Sequence, residues 1–318
     1  MKAIIYTRYG STDVLKLEEI PKPTPGDNEV LVKVYAASAN AADWHMMRGK
    51  PFLIRLMVGG LLKPKNKILG ADIAGRVETV GRNVKQFQPG DEVFGDISEC
   101  GWGAFAEYVC VSEDAVILKP DNLTFEEAAA VPIAAISALQ GLRDKRQIKP
   151  GDKVLINGAS GGVGTFAIQI AKSFGAEVTG VCSTKKLQLV RSIGADQVID
   201  YTQEDFTQNG QLYDLIFDAA AYRSISDYKR SLSPKGMYLL VGGSMTRIIQ
   251  VVLNKSKKID NLVVKSNKKD LVFMKGLLES GQVAPVVDRI YPLNRVAEAL
   301  RYLEERHVQG KVVIKVEQ

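Results

Sequence analysis

The run VLIN, residues 154–157, passes directly into GASGGVG and then into the helical pattern TFAIQIAK. A dinucleotide pyrophosphate is held by backbone amides at a helix N-terminus, and side chains must stay out of its way. Ala159, Gly161, Gly162 and Gly164 keep the turn small, with Ser160 and Val163 between them, so residues 159–164 form a candidate phosphate loop. Ala159 stands where a strict G-x-G-x-x-G would begin, and a ligand-free tight turn is the other reading of the glycines alone. Their place between a strand and a helix favours the dinucleotide.

The next strand ends at VTGVC, followed by Ser183, Thr184, Lys185 and Lys186. An acid here would hold a ribose 2′-hydroxyl, whereas hydroxyls and a lysine suit a 2′-phosphate, and no acid is present in this stretch. Lysines at a helix start are unfavourable unless an anion is near. The pattern therefore predicts NADPH, with Ser183 and Lys186 on the 2′-phosphate and Thr184 or Tyr201 assisting; Lys185 also reads as a solvated helix start.

Such a loop needs alternating strands and helices to position it. Thr124 with Glu126 and Glu127 opens a helix expected over 125–142. Strands are expected at 153–157, 177–182, 197–199, 212–219 and 237–241, with helices at 164–174, 185–193 and 226–232, which together make a doubly wound parallel sheet. Before residue 120, short alternating runs at 2–7, 29–36, 72–80, 92–95 and 104–111 form a mainly-β unit. After 270 come a helix to Glu279, a strand at 283–290, a helix at 293–306 and a strand at 311–316. The expected division is 1–122, 123–280 and 281–318, with no internal repeats.

At ~150 residues per domain, 318 residues allow about two domains. A chain 46% hydrophobic and 25% charged is neither disordered nor collagen-like. Cys100, Cys110 and Cys182 lie far apart without a Cys-x-x-Cys, which opposes a disulfide framework or zinc knot and fits a reducing compartment. No run reaches the ~18 uncharged apolar residues of a membrane span. MKAIIYTRYG alternates like a strand and has no signal-peptide h-region, so a cytoplasmic location is expected. Much of the net charge of +6 comes from Arg247, Lys255, Lys257, Lys258, Lys265, Lys268 and Lys269, set against Asp260 and Asp270. Without a nucleic-acid motif, this reads as a solvated basic face rather than a nucleic-acid or membrane-surface site.

The segments ASANAADWHMMRG, LGADIAGRVETVG, FQPGDEVFG, GAFAEYV, EEAAAVPIAAISALQGL, GASGGVGTFAIQIAK, DLIFDAA, LLVGG, YPLNRVAEAL and GKVVI span almost the whole chain. Together they resemble the zinc-independent, zeta-crystallin-like quinone oxidoreductases of the medium-chain dehydrogenase/reductase superfamily. The resemblance implies an α/β protein: a Rossmann doubly wound parallel sheet plus a GroES-like mainly-β domain built from both chain ends, with a cleft for the nicotinamide. Zinc-dependent relatives carry a cysteine and a histidine where this chain has Asn40 and Ala71, and a four-cysteine lobe that is missing here. An amide and a methyl cannot replace a thiolate and an imidazole, so no zinc is expected.

The same resemblance places Asn40 by the nicotinamide or substrate, Tyr201 beside the adenosine phosphate and Gly242–Gly243 at the nicotinamide-side turn. It also assigns Ser137, Ala219 and Lys311 to the cofactor. A turn role for Asn40 and a surface role for Tyr201 are the competing readings. His45 falls where related reductases often have tyrosine, leaving the proton donor open among His45, Asn40 and water, with ordinary packing the alternative for His45. His307 reads as surface, and Asp72 and Glu78 as support for the fold.

Oxidising an alcohol without zinc needs a strong buried base, and none is evident. A conjugated acceptor takes hydride at carbon and spreads the charge onto oxygen. The expected function is NADPH-dependent reduction of a quinone or other apolar conjugated carbonyl. Alkenal or enone double-bond reduction and dinucleotide binding without catalysis are the alternatives. The apolar runs 52–62 and 245–253 are expected to wall the acceptor site or to make a dimer contact, packing at a domain seam being the other reading; a homodimer is expected.

Overall fold

The computed structural model describes residues 1–56, 60–254 and 256–316, so Met57, Val58 and Lys255 lie outside the described residues. Chain contacts group Met1–Ile133, Ser266–Glu279 and Pro285–Gln318 in one unit, and Ala134–Lys265 with Ser280–Ala284 in a second. This grouping differs from a division at 122/123 and 280/281 in taking two helices into the first unit.

The first unit opens with a hairpin, β1 (Lys2–Ile5) and β2 (Lys16–Glu19), and continues through β3 (Glu29–Ala39), α1 (Ala41–Arg48), β4 (Asp72–Val80), β5 (Glu92–Asp96), β6 (Tyr108–Ser112), β7 (Val116–Leu118), α2 (Phe125–Ala129) and the start of α3 (Pro132–Leu139). β3 lies at the centre of its sheet, antiparallel to β4 and to β6. Its sequence EVLVKVYAASA puts Val30, Val32 and Val34 into the core, where they pack with Met47, Ile73, Phe105 and Ile314. One continuous helix over 125–142 does not form. Pro132 lacks an N–H and its ring excludes a preceding helical turn, so the chain breaks after Ala129 and restarts with Pro132 as the first residue of α3.

The second unit carries β8 (Lys153–Asn157), α4 (Gly162–Ser173), β9 (Glu177–Cys182), α5 (Leu187–Ser192), β10 (Gln197–Asp200), β11 (Tyr213–Asp218), α6 (Ile225–Arg230), β12 (Leu232–Leu240), α7 (Met245–Val252) and β13 (Ile259–Asn261). The sheet order is β10-β9-β8-β11-β12-β13, parallel throughout. Counted from β8 this is the order of a Rossmann sheet, with the switch point between β8 and β11. β13 was not expected: three residues, IDN, carry no strand periodicity. Leu155, Val181, Ile216 and Tyr238 fill one face of the sheet.

The chain then returns to the first unit through α8 (Lys268–Glu279), β14 (Val287–Pro292), α9 (Val296–Glu304) and β15 (Lys311–Lys315). β15 pairs antiparallel with β3, so Lys311 enters the sheet next to the end of β3. Residues 283–286, expected as strand, are not. Of the basic residues between 247 and 269, Lys257, Lys258, Lys265 and Lys269 are exposed, whereas Arg247 and Lys268 are half-buried. Among the described residues no helix is long and apolar enough to cross a membrane.

Candidate functional site

The phosphate loop is shaped by backbone demands. Gly158 has φ +84°, a left-handed turn that glycine adopts without strain. Gly161, at the N-cap of α4, donates its N–H to the Gly158 carbonyl at 3.1 Å. A Cβ on Gly164 would stand 2.2 Å from that carbonyl oxygen, so the helix meets the turn only because residue 164 has no side chain. A Cβ on Gly161 would find nothing nearer than 3.4 Å. The protein therefore leaves the surface at Gly161 open, beside a twelve-residue helix whose first N–H groups lack intrahelical partners. That cradle fits a pyrophosphate.

Across the switch point, Asp218 is fully buried at the end of β11. Its Oδ1 accepts from Asn157 Nδ2 at 2.8 Å and from the N–H groups of Ala220 and Ala221 at 3.1 and 2.8 Å. This ties the ends of β8 and β11 and fixes the turn that begins at Ala219, whose N–H bonds the Asn157 carbonyl at 3.0 Å. Gly242 and Gly243 end the next strand; Gly243 has φ +152°, and a Cβ there would lie 3.0 Å from that of Ala221. Ser244 then caps α7.

After β9, Ser183 leads into a single 3₁₀ turn, Thr184–Lys186. An acid stands here after all, supplied by the following strand. Thr184 Oγ1 donates to Asp200 Oδ2 at 2.5 Å, while Asp200 Oδ1 accepts from the N–H and hydroxyl of Thr202 at 2.9 and 2.8 Å. The Thr184 hydroxyl, ahead of the Thr202 bonds, holds the Asp200 carboxyl below the usual carboxylate range. Tyr201 is exposed, and its ring leans on Tyr222 with centroids 5.6 Å apart. Tyr222 was missed because nothing in its local sequence marks it as the neighbour of Tyr201.

In the first unit, a buried polar cluster forms where β3, α1, β4 and β15 meet. Asp72 Oδ2 accepts from Ser38 Oγ at 2.7 Å, from Asn40 Nδ2 at 2.9 Å and from Lys311 Nζ at 3.2 Å. Lys311 Nζ also donates to Asn40 Oδ1 at 2.5 Å. The side chains of Asp72 and Lys311 are 0% and 4% exposed. Asn40 therefore has both ends of its amide engaged, and as N-cap it uses its backbone rather than its side chain to start α1. Asp43 accepts from the N–H groups of Asn40 and Gly70 at 2.7 and 2.9 Å, yet burial pushes its carboxyl up to about 7. Asp96, facing Asp72 across β4 and β5, is pushed up to about 6, by burial first and then by the Asp72 charge. The Asn40–Asp43 spacing, N-cap to third helical residue, was the sequence signal that could have revealed Asp43.

His45 is not part of this cluster. It lies five residues beyond Asn40, roughly 140° further around the helix axis. Its Nδ1 is 2.9 Å from the Lys50 carbonyl and its ring stacks on Trp44 at 3.6 Å. A carbonyl only accepts, so Nδ1 carries the proton and Nε2 of the neutral ring is an acceptor. Ser137 is buried within α3. Phe52, Leu56 and Leu62 of the apolar run are exposed, as are Ile249, Val252 and Leu253 around the end of α7. Among the described residues, no group of three or more His, Cys, Asp or Glu gathers as a metal site.

Two family models match the chain: "Alcohol dehydrogenase GroES-like domain" over residues 26–121 and "Zinc-binding dehydrogenase" over residues 193–314. The 2-methylene-furan-3-one reductase of Solanum lycopersicum is 39% identical, the match covering 99% of this chain and 79% of the tomato protein. The chloroplastic NADPH-dependent alkenal/one oxidoreductase of Arabidopsis thaliana is 37% identical, with the same two coverages. Among solved structures, the quinone oxidoreductase of Coxiella burnetii superposes with a TM-score of 0.88 at 32% identity, covering 100% of this chain and 99% of that one.

Proposed function

The chain belongs to the quinone oxidoreductase-like family of the medium-chain dehydrogenase/reductase superfamily, as an NAD(P)H-dependent oxidoreductase of its quinone and alkenal reductase group, and from that premise we propose that it reduces an apolar conjugated carbonyl with NADPH and without zinc. The observation that carries the zinc-free reading is the bond from Lys311 to Asn40. Where a metal ion would need a thiolate and an imidazole, the fold offers a neutral amide already paired with an ammonium, and the Ala71 methyl. This donor set does not fit zinc.

Bound NADPH supplies the hydride. The N-terminus of α4 holds the pyrophosphate, with Ala159, Ser160, Gly161, Gly162, Val163 and Gly164 as its cradle. Ser183 and Lys186 serve the 2′-phosphate, and Ser137, Tyr201, Ala219, Gly242 and Gly243 complete the dinucleotide contacts. Lys311 has one ammonium N–H beyond its bonds to Asn40 and Asp72 to offer the charge that develops on the acceptor oxygen. Asn40, whose amide N–H groups go to Asp72 and to the Ser38 carbonyl, reaches the acceptor or the nicotinamide amide by releasing its 3.4 Å bond to Ser38. The proton comes from His45, Asn40 or water. The three-part division at 122/123 and 280/281, a homodimer and a cytoplasmic location belong to the same reading; sedimentation and cell fractionation test the last two.

For the acceptor, quinone is the first reading, supported by the fold likeness to the Coxiella enzyme. A second, reduction of an enone or alkenal double bond, is favoured by the higher identity to the tomato and Arabidopsis reductases. A panel of quinones, alkenals and enones followed by NADPH oxidation separates them. Turnover of primary alcohols with NADP and none of the panel would overturn the proposal. So would stoichiometric zinc in chelator-washed protein, for the zinc-free part.

A further inference from the structure

We propose that Asp200 is a specificity-determining residue for the cofactor: its carboxylate, bonded to Thr184, works against a 2′-phosphate and keeps the ribose pocket open to NADH. The inference rests on the cofactor reading above and concerns only the turn after β9. A hydroxyl has one proton to give. Thr184 gives its proton to Asp200 Oδ2 and Thr202 gives its own to Asp200 Oδ1, so neither hydroxyl donates to a phosphate while these bonds stand. A phosphate offers only acceptors at the pH of interest. A ribose 2′-hydroxyl, by contrast, is a donor, and the oxygens of Thr184 and Asp200 can accept from it.

Charge acts in the same direction. Thr184 is the first residue of the turn that would hold the 2′-phosphate, and Asp200 is in direct hydrogen-bond contact with it. A dianionic group seated on Ser183 and Lys186 would sit within a few ångströms of a carboxylate held ionised by its hydroxyl partners. Lys185 and Lys186 attract the phosphate and Asp200 offsets part of that attraction. The lysines alone make the sequence look more selective for NADPH than the folded turn is.

Replacing Asp200 with Asn removes the charge but keeps a side chain of the same shape. Its carbonyl still accepts from Thr202, and its NH₂ faces Thr184 and releases the Thr184 proton for a phosphate. The test is fluorescence titration of NADPH and NADH onto wild type, Asp200→Asn and Thr184→Val, at low and high salt, with a thermal melt as a folding check. Asp200→Asn should tighten NADPH about three- to tenfold, with NADH changed less than about twofold, and the gain should shrink in high salt. Thr184→Val should not weaken NADPH more than NADH, because its hydroxyl is not a phosphate donor in the wild type. An unchanged NADPH-to-NADH affinity ratio in Asp200→Asn, or a selective NADPH loss in Thr184→Val, overturns this inference alone. Failure of wild type to bind either dinucleotide overturns the cofactor reading and this inference with it.

Discussion

Lys311 reaches 271 residues back along the chain to place its ammonium 2.5 Å from the side-chain oxygen of Asn40. The contact exists because β15 pairs with the end of β3, which brings the last strand of the chain to the first residue before α1. Asp72 closes the triangle from β4.

Lys311→Met should be both destabilised and impaired. Removing the cation leaves the Asp72 carboxylate buried with neutral partners only, a loss of about 3–5 kcal/mol for a broken buried pair. Urea unfolding reads the stability. Steady-state kinetics on the conjugated acceptor should show a kcat loss in the fraction that remains folded. A Met variant as stable as wild type would mean that the cluster is hydrated rather than buried.

Asn40→Ala keeps the Lys311–Asp72 pair and deletes only the amide. If that amide meets charge developing on the acceptor, kcat should fall about a hundredfold while the dissociation constant of the dinucleotide changes little. A selective loss of dinucleotide affinity with kcat intact would make Asn40 a cofactor contact and nothing more.

Two glycines of the phosphate loop separate fold from binding. Gly164→Ala forces a methyl against the Gly158 carbonyl, 2.2 Å from the ideal Cβ, and should cost about 1–3 kcal/mol of stability. Gly161→Ala meets nothing closer than 3.4 Å and has an ordinary φ of −82°, so its melting temperature should stay near wild type. Its methyl would stand in the path of the pyrophosphate, and dinucleotide affinity should fall about tenfold or more. Wild-type affinity in Gly161→Ala would move the pyrophosphate away from this loop.

The two glycines also show why this half of the molecule was readable in advance. A strand, a small-residue turn and a helix are local in sequence, so GASGGVG announces both its conformation and its use. The cluster at Asn40 was readable only as far as Asn40 itself. Its partners come from residues 38, 72 and 311, and nothing local in DIAGRVETV or GKVVI says that Asp72 and Lys311 will meet. Asp200 escapes a local reading for the same reason. The residues that immediately follow β9 in sequence carry no acid, whereas parallel pairing sets Asp200 beside Cys182 from the next strand. The break at Pro132 is local, written in the proline itself against an alanine-rich pattern that favours one continuous helix.

His45 offers a test of the proton donor that its hydrogen bond makes directional. With Nδ1–H committed to the Lys50 carbonyl, Nε2 has a proton to give only when the ring is cationic. If His45 is the donor, His45→Gln loses most of kcat with an enone while its dinucleotide affinity stays near wild type. A His45→Gln enzyme with wild-type kcat would assign the proton to Asn40 or to water.

Asp43 gives a pH dependence of stability with a definite sign. Burial raises its carboxyl from the ordinary 3.8 to about 7 in the folded protein. A folded-state value above the unfolded one means that the native state binds the proton more tightly. The stabilisation from that proton is complete below the unfolded value and is lost as pH rises through about 7. Asp96 acts in the same direction but is common to wild type and an Asp43→Asn variant, so comparing the two isolates Asp43. The variant gives up one of the two backbone bonds, from Asn40 or from Gly70, and should melt lower at acid pH. Thermal melts across this range should show the wild-type advantage shrinking as pH climbs from about 4 to about 7, then levelling. An advantage that instead grows with pH would show that the two backbone N–H groups hold Asp43 ionised in spite of its burial.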